Sequence, residues 1–238
     1  MLPLQDEESL AGIVLLASKK KGKSYGYDDL NFLESVSSIA SIAVRNSRLY
    51  EKACMEARTD ELTGLLNRKY FYELLNQQYE KKPNKELALI IINIDDFKLY
   101  NQLYGMKEGD AALQNAAKII SATVGERGYV ARYSGKEFAA ALPDFDVLAA
   151  RNIAESIRMQ ILNMNKRATD YALKVLTVSC GICTIPYSAS NIKQLVENAD
   201  MAVFSVKRKG KNGVMVYDIG SHIDGNAKGG EPLVREDV

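Results

Sequence analysis

Leu87-Ala88-Leu89-Ile90-Ile91-Ile92-Asn93-Ile94-Asp95-Asp96-Phe97-Lys98-Leu99-Tyr100-Asn101-Gln102-Leu103-Tyr104-Gly105-Met106-Lys107-Glu108-Gly109-Asp110 is the stretch on which the fold turns. The apolar run Leu87 to Ile92 predicts a buried strand, and its polar end, Asn93 to Asp96, emerges beside the start of a short helix. Polar groups at such a strand end commonly line a site. A second polar turn follows at Arg132-Tyr133-Ser134-Gly135-Lys136-Glu137-Phe138.

Around this stretch, from Asn67 on, helices and strands alternate. The pattern predicts a helix over 67–80, a Lys-Lys-Pro-Asn turn at 81–84, a strand over 86–94, a short helix over 96–103 and a helix over 108–123. A strand pair follows over 129–133 and 137–142, meeting at Ser134-Gly135, then helix 146–165, strand 174–184, helix 191–208 and strand 213–217. Mixed strands and helices around a central hairpin argue for an α+β sheet with helices on its faces, not a doubly wound parallel sheet.

Upstream, residues 11–18 predict a strand with no visible partner, and Lys19 to Gly26 a basic, glycine-containing turn. Tyr27-Asp28-Asp29 opens a long helix in which positions 33, 36, 40, 43, 47, 50, 54 and 57 form a heptad seam weakened at Ser47. Two readings stand: an amphipathic helix packed on its own domain, or a rod between two modules. Some 30 residues of helix span about 45 Å, more than one small domain needs, which favours the rod. Residues 219–238 are rich in glycine and lack an apolar period, so a disordered tail is expected.

A chain of 238 residues with 47% hydrophobic content buries one core plus an appendage. Its 31 lysines and arginines nearly balance 30 aspartates and glutamates, so no global field draws it to nucleic acid or an anionic membrane. No apolar run approaches the roughly 20 residues that cross a bilayer, and no leader pattern opens the chain, so a cytoplasmic fragment is expected. Three cysteines agree with a reducing compartment. Cys180 and Cys183, three apart on a predicted strand, point to opposite faces and read as packing residues instead of a metal or redox pair. His222, in the glycine-rich tail, reads as a solvated loop residue.

The two quoted stretches resemble the GGDEF family, the bacterial diguanylate cyclases that condense two GTP molecules into cyclic di-GMP. The family wording D-I/L-D-x-F-K-x-I/V-N-D-x-x-G-H-x-x-G-D fits the first without a gap, and R-x-G-G-D/E-E-F fits the second. Arg58-Thr59-Asp60-Glu61-Leu62-Thr63-Gly64-Leu65-Leu66-Asn67-Arg68 resembles the opening motif. Thr177-Val178-Ser179-Cys180-Gly181-Ile182 and the segment from Ala199-Asp200 to Lys207-Arg208-Lys209-Gly210-Lys211-Asn212 resemble the closing ones. The resemblance implies a βαββαβ ferredoxin-like core, like the palm of nucleotidyl cyclases, over residues 59–218. Asp28, Leu33 to Ala40 and Arg45-Asn46-Ser47-Arg48-Leu49 resemble the end of a GAF sensor domain. Residues 1–45 are accordingly expected to be a truncated sensor remnant and 46–58 a continuing signalling helix, with the chain forming a homodimer through the N-terminal helix around residues 33–57.

Several family letters differ. Joining a ribose 3′-hydroxyl to an α-phosphate needs divalent ions held by carboxylates. In the family the first aspartate of D-x-D and the acids of the turn hold Mg²⁺ or Mn²⁺; here those positions carry Asn93 and Lys136, and Ser134 replaces a glycine. A unit charge pair about 4 Å apart at an effective dielectric near 20 is worth roughly 4 kcal/mol, so Lys136 opposes a cation in that place. No metal is expected, unless through the retained Glu137 and Asp95, which could instead pair with Lys136. Asn101 and Asp110 match the guanine-reading pair. Lys98, Lys207 and Lys211 match phosphate-binding positions, the alternative being solvated surface charges. Met106 and Gln102 replace a histidine and an aspartate, and the family's product-binding R-x-x-D falls on Gly125-Glu126-Arg127-Gly128, where it is absent. Three functions stay open: an inactive domain that binds a guanine nucleotide (GTP or cyclic di-GMP), an active cyclase using Mg²⁺ or Mn²⁺, and a ligand-free dimerisation module.

Overall fold

The apolar run Leu87–Ile94 is buried along its whole length, as a strand covered on both faces must be. The computed structural model describes residues 2–5, 10–17, 24–82, 85–164 and 175–218, and the chain divides into two compact units, Met1–Ala57 and Arg58–Val238. In the first, β1 (Leu2–Gln5) pairs antiparallel with β2 (Leu10–Val14), which supplies the partner missing from the sequence reading. Helix α1 (Tyr27–Arg58) has 32 residues. Leu33, Ser37, Ala40, Ser41 and Val44 form its partly buried to buried face, and Ser37 Oγ donates to the Pro3 carbonyl at 2.6 Å. Of the predicted seam, Val36 and Tyr50 are exposed, alongside Phe32, Ile39 and Leu49.

The second unit runs β3 (Leu66–Asn67), α2 (Arg68–Lys81), β4 (Leu87–Ile94), α3 (Phe97–Tyr104), α4 (Met106–Val124), a 3-10 turn at Gly125–Arg127, β5 (Tyr129–Ser134), β6 (Glu137–Pro143), α5 (Val147–Met164), β7 (Val178–Ile185), α6 (Ile192–Arg208) and β8 (Gly213–Val216). The sheet order is β3-β5-β6-β4-β7-β8. In its four central strands, β5-β6-β4-β7, each is antiparallel to its neighbour, which is the βαββαβ ferredoxin-like arrangement expected. Short β3 and β8 add parallel edges.

Strand alternation sorts the core into two layers. Ile90, Ile92 and Ile94 of β4 pack with Leu113, Ile120 and Ile157 of α4 and α5. Leu89 and Ile91 pack with Phe71, Leu75, Leu195 and Val203 of α2 and α6. The same alternation puts Cys180 in the first layer and Cys183 in the second, as the three-residue spacing predicts. Burial pushes the Cys180 thiol up, away from thiolate chemistry. Asn67 and Asn191 cap α2 and α6, each accepting from a main-chain N–H at 2.9 Å.

Element ends shift where backbone geometry intervenes. Helix α3 starts at Phe97, not at 96, because Asp96 sits at φ 49°. Helix α4 starts at Met106, not at 108, because Gly105 at φ 86° lets the chain turn and restart a helix at once. Strand β7 begins at Val178, and the predicted start at 174 lies outside the described residues. So does the predicted tail, 219–238. Among the described residues no helix is long and apolar enough to cross a membrane.

Gly181 fixes how closely β7 approaches α6. A Cβ there would lie 2.2 Å from the Ala199 carbonyl oxygen and 2.5 Å from the Val203 nitrogen, both main-chain atoms that cannot swing aside. Gly181→Ala is therefore expected to cost about 2–3 kcal/mol by overpacking, read as a lower urea midpoint at unchanged slope.

Candidate functional site

The buried β4 must end in polar residues where the sheet reaches solvent, and four segments converge there: Asn93 to Asp96, the Ser134–Glu137 turn, the α3–α4 corner, and the α6 end with its following turn. Register decides the first contact. Asn93 stands directly opposite Glu137 across the β4–β6 ladder. Its side-chain amide donates to Glu137 Oε1, and Ser134 Oγ donates to the other carboxylate oxygen at 2.7 Å. Asn93 is 2% exposed, and its Oδ1 has no partner.

Asp95 turns to the other neighbour. Its carboxylate accepts from Thr177 Oγ1 at 2.8 Å, Ser179 Oγ at 2.7 Å and the Asn212 main-chain N–H at 3.1 Å. Both retained carboxylates are thus held by neutral donors. The ion pairs left open between Lys136 and Glu137 or Asp95 do not form, because hydroxyl and amide groups set by strand register already occupy those oxygens. Among the described residues the Lys136 ammonium has no ion-pair partner.

Two adjoining hollows open beside these groups. One of about 550 Å³ is bordered by Phe97, Lys98, Asn101, Met106, Asp110, Arg132 and Lys136. The other, of about 330 Å³, is bordered by Asp95, Asp96, Lys98, Lys136, Lys207 and Lys211. Lys98, Gln102 and Lys136 line both, so the hollows adjoin. Of the five residues matched to nucleotide-binding positions, Asn101 and Asp110 border the first hollow, Lys207 and Lys211 the second, and Lys98 both. They do not stand alike. Lys211 Nζ is tied to both Asp96 oxygens at 2.7 and 2.8 Å, and that bond raises its pKa. The half-buried Lys207 is pushed the other way, by burial first and then by the positive charge of Lys136.

At the far end, Asn101 Oδ1 is buried without a partner. Gly109 makes room for it, since a Cβ at that position would fall 1.8 Å from this oxygen. Asp110 is exposed on the cavity rim.

Arg132 opens the turn motif, and the sequence alone assigns it no role. It borders the cavity, donates to the Gly135 carbonyl at 2.8 and 3.3 Å, and ion-pairs with Asp60 at 3.1 Å. This pair joins the opening motif to the turn, a contact across 72 residues that no local pattern announces. The Thr63 amide and hydroxyl and Arg132 outweigh the opposing effect of burial, and hold the Asp60 carboxyl below the usual range. At Gly125–Gly128, Arg127 folds back onto the Val124 and Thr123 carbonyls. Among the described residues no group of three histidine, cysteine, aspartate or glutamate side chains gathers at metal-binding spacing.

Fold, turn and cavity together define a nucleotidyl-cyclase type of domain. Residues 57–213 match the family model described as "Diguanylate cyclase, GGDEF domain", and the chain belongs to that family. It is 33% identical over 221 residues to diguanylate cyclase A of Treponema denticola, covering 90% of this chain and 58% of that protein. It is 30% identical over 217 residues to the uncharacterized protein YtrP of Bacillus subtilis, covering 91% of this chain and 36% of that one. The chain thus spans only part of the length of these relatives. Among solved structures, the coiled coil and GGDEF domain of DgcB from Caulobacter crescentus, in complex with c-di-GMP, superposes with a TM-score of 0.68 at 28% identity, covering 77% of this chain and 98% of that one. The GGDEF domain of the same protein, also with c-di-GMP, gives a TM-score of 0.62 at 30% identity over 68% of this chain and 96% of that one.

The bonding of Asp95 makes it a structural clasp between β4, β7 and the turn before β8. Asp95→Ala leaves three donors without their acceptor and is expected to cost about 3 kcal/mol. Chemical denaturation reads it; unchanged stability would mean that the carboxylate serves a ligand alone.

Proposed function

We propose that this chain is a GGDEF output domain of cyclic di-GMP signalling that binds a guanine nucleotide and does not make cyclic di-GMP. The observation that carries this reading is the Asn93–Glu137 contact. A neutral side-chain amide, its N–H turned to the carboxylate, stands where the family has a second acid, and an amide is a weaker ligand for a divalent cation than a carboxylate. With Lys136 beside it and Asp95 already accepting from Thr177, Ser179 and Asn212, the donor set fits Mg²⁺ or Mn²⁺ poorly.

The remaining groups suit a guanine nucleotide. Its base offers N–H donors to the unpartnered Asn101 Oδ1 and to the Asp110 carboxylate, while its phosphates face Lys98 and Lys207, with Lys211 shared with Asp96. Residues 1–45 are read as a GAF-like remnant and 46–58 as a signalling helix continuing to the domain at 59–218, within a cytoplasmic protein. The exposed apolar residues Val36, Ile39 and Tyr50 on α1 support dimerisation through that helix, which is also what a ligand-free dimerisation module would use.

Incubated with GTP and Mg²⁺ or Mn²⁺, the protein is expected to yield no cyclic di-GMP by chromatography while binding GTP in calorimetry. Repeated turnover would establish the cyclase instead, and absence of binding would leave the ligand-free module. Restoring the acids and the glycine together (Asn93→Asp, Lys136→Asp, Ser134→Gly) is expected to make GTP binding metal-dependent. Light scattering should show a dimer that Val36→Glu combined with Tyr50→Glu converts to monomer; a wild-type monomer at high concentration would sink the helix interface.

A further inference from the structure

The two carboxylates at the end of β4 and on the turn are each held by hydrogen bonds from uncharged groups, and the third, Asp96, is ion-paired with Lys211. Among the described residues, the charged groups of the smaller hollow's wall without a direct ion pair include three that are positive, Lys98, Lys136 and Lys207. Lys136 differs from the other two in position, since it projects from the β5–β6 turn and borders both hollows. It stands where a ligand's phosphates would leave the base end and enter the lysine cluster. A lysine ammonium is a compact cation with three donors on a flexible stem, able to follow phosphate oxygens. Burial first and then the charge of Lys136 lower the Lys207 pKa, and a polyanion placed between the two ammonium groups relieves their repulsion.

From this we infer that the Lys136 ammonium takes over the place and charge of the divalent ion, so that the site selects a guanine polyphosphate in its magnesium-free form and magnesium acts as a competitor. The inference rests on the guanine-nucleotide reading above and goes beyond it, from tolerance of magnesium's absence to antagonism by its presence. Magnesium chelates adjacent phosphates and neutralises the oxygens that the three lysines would engage. Binding then draws only on the metal-free fraction of nucleotide, and the apparent affinity falls with that fraction. The lysine count also orders the ligands: GTP above GDP above GMP, with the differences shrinking as salt rises.

The test is calorimetric titration of the whole chain with GTP, in EDTA and in millimolar magnesium. Wild type is expected to bind about tenfold or more weakly in magnesium. Lys136→Met removes the charge from a half-exposed turn residue. It is expected to lower GTP affinity in EDTA by about tenfold, as loss of a charge-assisted contact does, and to change GMP affinity much less. Lys136→Glu should invert the response, so that magnesium strengthens binding. Circular dichroism checks that both variants keep the wild-type fold. GTP affinity that magnesium leaves unchanged or improves in wild type, or that Lys136→Met leaves unchanged, overturns this inference while the guanine-nucleotide reading stands. No GTP binding in either buffer overturns both.

Discussion

Everything in the second unit follows from one strand being paired on both edges and covered on both faces. β4 is bonded to β6 and β7 along its length and buried at every residue, so each polar group at its end must find a partner within reach of the register. Asn93 finds Glu137 on one side; Asp95 finds Ser179 and Thr177 on the other. These bonds lock the mouth of the sheet, and the lysines, the Arg132–Asp60 pair and the α3–α4 corner are arranged around that mouth. Gly105 and Gly109 serve it too: one turns the chain between helices, the other clears space for Asn101.

The electrostatic character of the site is an outcome of these pairings and cannot be counted from the letters. Asp95, Asp96 and Glu137 nominally balance three of the four lysines around the smaller hollow. Hydrogen bonds from neutral donors do not cancel charge, but they fix where it is spent. Asp95 faces Thr177 and Ser179, Glu137 faces Asn93 and Ser134, and only Asp96 reaches an ammonium. Lys98, Lys136 and Lys207 are left directed at solvent-filled space with counter-charge that is near but not in contact. That separation is the condition under which an incoming polyanion gains most.

The sequence carried the architecture well because periodicity reports burial directly. Leu87 to Ile92, the alternation through Val178 to Ile185 and the helical patterns around them specify strands and helices, and the central hairpin specifies the α+β class. Helix starts were misplaced where a single residue took an unusual backbone angle, as at Asp96 and Gly105, and the strand expected over 11–18 falls on β2, which ends already at Val14. β1 escaped notice because a strand of four residues has too short a pattern to separate from a loop. Among site residues, Lys98, Asn101, Asp110, Lys207 and Lys211 were legible as motif positions, and the fold brings all five to the walls of two adjoining hollows. Whether Glu137 or Asp95 pairs with Lys136 was left open by the letters, because which donor reaches a carboxylate first depends on cross-strand register.

By itself the sequence determined the sheet, its central strand, the two-layer core and the identity of the groups gathered at its mouth, since hydrophobic pattern and residue type are local properties of the chain. Only the tertiary structure decided which of those groups are spent on one another. The bonds Asn93 to Glu137, Asp95 to Thr177, Ser179 and Asn212, Lys211 to Asp96 and Arg132 to Asp60 join residues tens of positions apart. Their geometry is set by strand register and helix packing, to tolerances of a few tenths of an ångström that no spacing of letters encodes.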